Sequence, residues 1–96
     1  SATLSTAYGR AALEIECRAV ASEPAGSRNA RLNEAAFAFG QLVAGGELVE
    51  SEALTALEQA AAACGLGDHE AQRTIQSGFS AGLSEPRQAV RGWNHV

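Results

Sequence analysis

The chain of 96 residues contains no methionine and no lysine, a single aspartate, one tryptophan and one tyrosine. All seven of its cations are arginines. Aromatic residues make up only 5% and β-branched residues are few, so there is little material for strands. No apolar run approaches the ~20 residues that a membrane span requires, and no charged start leads into an apolar middle as in a secretory signal. The two cysteines, Cys17 and Cys64, stand far apart with no CxxC or Cys/His cluster around them. They read as small buried hydrophobes and exclude a disulfide framework or a zinc site. His69 and His95 are equally isolated, so neither metal nor cofactor is expected in this domain.

What is present in quantity is alanine, 21 residues of the best helix former. Hydrophobic residues at 46% and charged residues at 19% describe a folded chain of one domain's length. The expected fold is all-α, a compact bundle of about four main helices with short loops. A net charge of −4 with a pI near 5.0 opposes bulk electrostatic capture of nucleic acid, but leaves room for a local basic patch.

Periodicity places the helices. Leu4, Tyr8, Ala12, Ile15 and Ala19 trace one stripe of a first helix over residues 4–22, widened by Leu13, Cys17 and Val20. Arg10, Glu14 and Arg18 form a charged ladder beside it. Pro24 and Gly26 mark a loop, after which Asn29 or Ser27 can cap a second helix over residues 30–44, stopped by Gly45-Gly46. Phe37 and Phe39 point nearly opposite ways, which makes this the central helix. A third helix runs from Ser51 to Cys64 with Ser51 as cap. The fourth follows Gly67, with Asp68 as cap and Ala71, Ile75, Phe79 and Leu83 inward. Pro86 ends it, so residues 1–85 form the bundle and 86–96 a C-terminal extension or linker. Trp93 either docks on the bundle or belongs to that linker.

Catalytic machinery is hard to find. The acids are scattered along exposed faces, and neither cysteine has a histidine at helical spacing. The domain taken alone is therefore not expected to be an enzyme. Two segments are chemically unusual. Ser27-Arg-Asn-Ala-Arg-Leu-Asn33 gathers Arg28, Asn29, Arg31 and Asn33 at a helix start, where unpaired N–H groups and arginine forks suit a phosphate. An ordinary cap flanked by solvated arginines accounts for the same residues, and both readings stand. In Arg73-Thr-Ile-Gln-Ser-Gly-Phe-Ser-Ala-Gly82, Gly78 and Gly82 lie on one face and would admit a neighbouring backbone or a ligand. Thr74, Ser77 and Ser80 flank that surface.

The same two segments carry a resemblance. Gly26-Ser-Arg-Asn-Ala-Arg-Leu-Asn-Glu-Ala-Ala-Phe-Ala-Phe-Gly-Gln-Leu-Val-Ala-Gly-Gly46 resembles the helical domain that follows the catalytic core of bifunctional DNA primase/polymerases, most of all those of actinobacterial phages and mobile elements. Ala61-Ala-Ala-Cys-Gly-Leu-Gly-Asp-His-Glu-Ala71 and Arg73–Arg87 resemble the family's second block, so the likeness spans roughly residues 8 to 87. It implies an accessory helical bundle that grips the single-stranded DNA template and the initiating nucleoside triphosphate, with ATP–Mg as a ligand, beside a catalytic primase-polymerase domain of the same chain. It also implies a monomer in the cytoplasm of a bacterial host cell, away from membranes. The positions it carries over are Arg28, Asn29, Leu32, Asn33, Phe37, Gly40, Thr74, Ser77 and Gly78, with Leu32, Phe37 and Gly40 read as packing. Adding the neighbouring arginines, the expected binding residues are Arg28, Asn29, Arg31, Asn33, Arg73, Thr74 and Ser77, with Arg28, Asn29 and Asn33 facing Arg73, Thr74 and Ser77 across the bundle. Glu34, Gln76 and Ser80 depart from the family, whose members often carry a basic residue there, which lowers the expected affinity for DNA alone. The competing expectation, favoured by the acidic net charge, is an interaction or connector module between primase and helicase parts, without nucleic-acid contact.

Overall fold

A computed structural model describes residues 4–90. It shows four helices, α1 (Ala7–Ala21), α2 (Arg28–Ala44), α3 (Glu50–Ala63) and α4 (Asp68–Leu83), and no strand among the described residues. The all-α bundle expected from composition is the fold observed. Trp93 and most of the expected extension lie outside the described residues.

The stops are set by glycine. Gly46 and Gly65 take φ of +81° and +89°, a region open to them because they lack a Cβ. Each closes its helix with the same pair of bonds: Gly46 N–H to Val43 O and Glu47 N–H to Leu42 O, then Gly65 N–H to Ala62 O and Leu66 N–H to Ala61 O. The starts differ from expectation. Asp68 is the first residue of α4 rather than its cap, which is Gly67. Ser51 sits inside the first turn of α3, and the cap is Val49, whose N–H is held by Ser5 Oγ at 2.9 Å. Ser5 thus holds the cap residue in place, and the first turn of α3 has no side-chain cap. α1 itself is capped locally, by Thr6 Oγ1 accepting from Gly9 N–H at 3.0 Å.

α2 is the central helix, as the opposed phenylalanines imply. Leu32, Ala35, Ala36, Phe39 and Leu42 on it are wholly inaccessible, and they meet Val20, Leu48, Leu57, Ile75 and Phe79 in one core. Burying an apolar side chain of this size stabilises the fold by about 1.5–3 kcal/mol. The closest helix pair is α2 with α4, and glycine is the reason. A Cβ on Gly40 would lie 2.2 Å from Phe79 O, and one on Gly82 would lie 2.0 Å from Phe37 O. Backbone therefore packs directly on backbone, the close approach expected from the Gly78/Gly82 spacing.

α1 is rotated from its expected phase. Leu4, Tyr8 and Ile15 of the expected inward stripe are 78%, 40% and 62% exposed, whereas Gly9 and Val20 are buried and Leu13 and Cys17 are half-buried against the core. Gly9 explains the choice: a Cβ there would fall 2.0 Å from Glu47 O, so this face alone can close on the α2–α3 turn. The charged ladder of α1 does not pair either. Arg10 donates to Ser5 O, and both ion pairs among the described residues belong to Arg31. Leu83, expected inward on α4, is 40% exposed because it is the last residue of the helix, beyond the Gly82 contact.

Candidate functional site

α2 and α4 run parallel in a single register. Asn29 meets Thr74, Asn33 lies over Gly78 and Phe37 over Gly82, each pair 45 positions apart. That register brings the two unusual sequence segments side by side, the N-terminal end of α2 against the middle of α4. Thr74 Oγ1 donates to Asn29 Oδ1 at 2.6 Å, across the seam. One turn further on, a Cβ on Gly78 would meet the backbone oxygen of Asn33 at 2.7 Å and its Oδ1 at 2.8 Å. Gly78 thus makes room for Asn33 rather than for a ligand.

The same register sets Arg28 level with Arg73. Arg28 turns its Nη1 to Cys64 O at 3.1 Å, the C-terminal carbonyl end of α3, where a cation meets the negative end of the helix dipole. Its other guanidinium N–H groups remain as donors. Arg73 is exposed and borders a shallow depression with Gln72, Gln76 and Ser77 on the outer face of α4. Arg31 does not join them. It points to α1, with Nη2 2.6 Å from Glu16 and Nη1 3.5 Å from Glu34, and clamps α1 to α2. The geometry puts Asn29, Asn33 and Thr74 on the seam, Arg28 at its edge turned toward the end of α3, and Arg73 and Ser77 on the outer face of α4 beside it, with Arg31 apart.

The two helix starts differ electrostatically. The first turn of α2 carries no acid of its own and no side-chain cap; the Ser27 hydroxyl donates to Glu23 Oε2 at 2.6 Å, which holds that carboxylate beside the helix start. The first N–H groups of α2 stay open to an anion. The first turn of α4 carries Asp68 and Glu70, which already answer its dipole.

A separate groove of about 500 Å³ lies between α1 and α3, bordered by Arg10, Leu13, Glu14, Glu52, Ala56 and Gln59. It continues along Cys17 and Ala60. Burial, with a smaller contribution from the Glu16 carboxylate, pushes the Cys17 thiol up to about 11, and its Sγ lies 3.6 Å from Ala56 O. Cys17 is therefore inert packing. Both cysteines are free, and no group of three potential ligands able to hold a metal occurs among the described residues.

Sequence reasoning missed Glu47, a carboxylate only 1% exposed at the far pole of the bundle. Nothing in Gly45-Gly46-Glu47-Leu48 distinguishes it from an ordinary solvated turn residue. Its burial follows from segments distant in sequence, Thr6 and Ala89. No protein-family model, curated protein sequence or solved structure matches this chain.

Proposed function

We propose that this chain is the accessory helical domain of a DNA primase-polymerase, binding single-stranded template or the initiating nucleoside triphosphate along the α2–α4 seam. The observation that carries the reading is the Asn29–Thr74 bond, which joins the two segments of the resemblance at one place with Arg28 and Arg73 level beside it. Open amides at the start of α2 and two arginine forks are donors of the kind that phosphate oxygens take. Asn33 and Ser77 border that surface, and they would orient a ligand by hydrogen bonding rather than charge. In this reading the joining of nucleotides falls to a catalytic domain of the same chain.

An NMR titration with ATP–Mg and, separately, with a short single-stranded DNA tests this. The expected result is a set of shifts confined to residues 27–33 and 73–78 that weakens as salt rises, since phosphate contacts release counterions. Absence of any shift at millimolar ATP and low salt would leave the seam without a ligand of its own.

The second reading, a connector or interaction module, is favoured by the outward face of α1, where Tyr8 and Ile15 stand exposed at helical spacing. Under it, Arg28→Ala and Arg73→Ala leave primer initiation unchanged, while Ile15→Ser weakens assembly with the rest of the enzyme.

A further inference from the structure

The pole opposite the seam holds a buried charge whose partners come from both ends of the described chain. Glu47 sits in the α2–α3 turn, 1% exposed. Its backbone oxygen accepts from Thr6 N–H at 3.0 Å, and its Oε1 accepts from the Thr6 hydroxyl. Its Oε2 accepts from Ala89 N–H at 3.0 Å. The segment after α4 is seated beside it as a strap. Arg87 N–H bonds Gln41 O at 2.9 Å, Gln88 Nε2 bonds Gly45 O at 2.9 Å, and a Cβ on Gly45 would lie 2.0 Å from Arg87 O.

We infer that Glu47 is a two-ended latch: the segment entering α1 and the strap leaving α4 are held by one buried carboxylate and open together. A carboxylate stays buried only while donors surround it. When the strap lifts, water reaches Oε2 and the carboxylate turns outward, which withdraws Oε1 from Thr6. Thr6 is also the cap of α1, so its release frays the first turn of that helix. The strap carries a reason to lift. Arg87 Nε is shut away from water without an acceptor, and undocking restores its hydration. Displacement of the strap by a neighbouring domain or partner would thus loosen α1 at its start while leaving the α2–α4 seam in place.

Gly45→Ala tests the coupling, because the three atoms nearest its new Cβ all belong to Arg87 and none to Thr6. The expected result is cleavage by trypsin after Arg87 at least tenfold faster, together with amide exchange at Thr6 and Gly9 at least tenfold faster. Exchange at Phe39, in the middle of α2, stays at the wild-type rate. Faster cleavage after Arg87 with unchanged Thr6 and Gly9 exchange overturns the latch, since the strap then moves alone. Wild-type cleavage after Arg87 overturns it too, because a strap indifferent to that Cβ is not seated there. Acceleration at Phe39 equal to that at Thr6 shows global opening and equally defeats it. If Gly45→Ala fails to fold, Glu47→Gln decides on the same three readouts, as it keeps the side-chain size and exchanges one acceptor oxygen for an amide donor.

Discussion

Thr74 Oγ1 lies 2.6 Å from Asn29 Oδ1 and donates to it, joining two parallel helices at the first level of a register that persists through Phe37 and Gly82. The bond has two consequences that separate stability from binding. Asn29→Ala and Thr74→Val each remove a partly solvated hydrogen bond and should cost about 0.5–1 kcal/mol in urea unfolding. A double-mutant cycle should recover a coupling of similar size, since one bond is lost in either variant. A loss of ATP or DNA affinity in Asn29→Ala larger than in Thr74→Val would assign Asn29 a contact with ligand beyond its contact with Thr74.

The seam tolerates no side chain at its crossing points. Gly82→Ala and Gly40→Ala each drive a methyl to about 2 Å from a backbone oxygen, and helix backbones cannot yield as a flexible side chain does. Each should destabilise by roughly 3 kcal/mol or prevent folding. Gly26→Ala is the control, with nothing within 4 Å of its Cβ, and its unfolding midpoint should stay at or slightly above wild type.

The arginines divide by partner. Arg31→Ala breaks the 2.6 Å pair with Glu16 between half-buried side chains and should cost about 1 kcal/mol without changing ligand binding. Arg28→Ala should cost a similar ~1 kcal/mol, by uncapping the C-terminal carbonyls of α3. Arg73→Ala removes an exposed side chain and should move the unfolding free energy by less than about 0.5 kcal/mol. Any primer-initiation defect in Arg73→Ala therefore reports binding, and equal initiation by that variant and wild type would remove Arg73 from the proposed site.

The parts of this architecture that sequence could reveal are those fixed by local rules. Gly46 and Gly65 end helices because of backbone geometry, and Gly78 and Gly82 mark a close approach because both sit at one helical spacing. The face of α1 was legible in part: Ala12, Leu13, Cys17 and Val20, placed inward on spacing, do pack on the core, but Tyr8 and Ile15 do not. The exact phase depends on Gly9 meeting Glu47 O, a contact across 38 positions. The Asn29–Thr74 pairing was accessible only through the resemblance, since no periodicity relates residues on different helices. The pairing of Arg31 was hidden for the same reason: its partner Glu16 belongs to another helix, and spacing along α2 alone leaves it beside Arg28.

Cys17 gives the domain an alkaline weakness whose sign follows from its environment. Its thiol is pushed from 9.0 up to about 11, chiefly by burial and further by the Glu16 carboxylate. The folded state thus favours the protonated thiol more than the unfolded chain does. The stability this contributes is complete below pH 9 and is lost as pH rises from 9 to 11, where the unfolded state gives up its proton first. Unfolding midpoints should fall across that window, and Cys17→Ala should reduce the fall. At pH 8 the thiolate fraction drops from about one in ten to roughly one in a thousand, so iodoacetamide should modify Cys17 about 100-fold more slowly in the folded protein than in urea. Labelling of Cys17 at the denatured rate under native conditions would show that this thiol is not packed between α1 and α3.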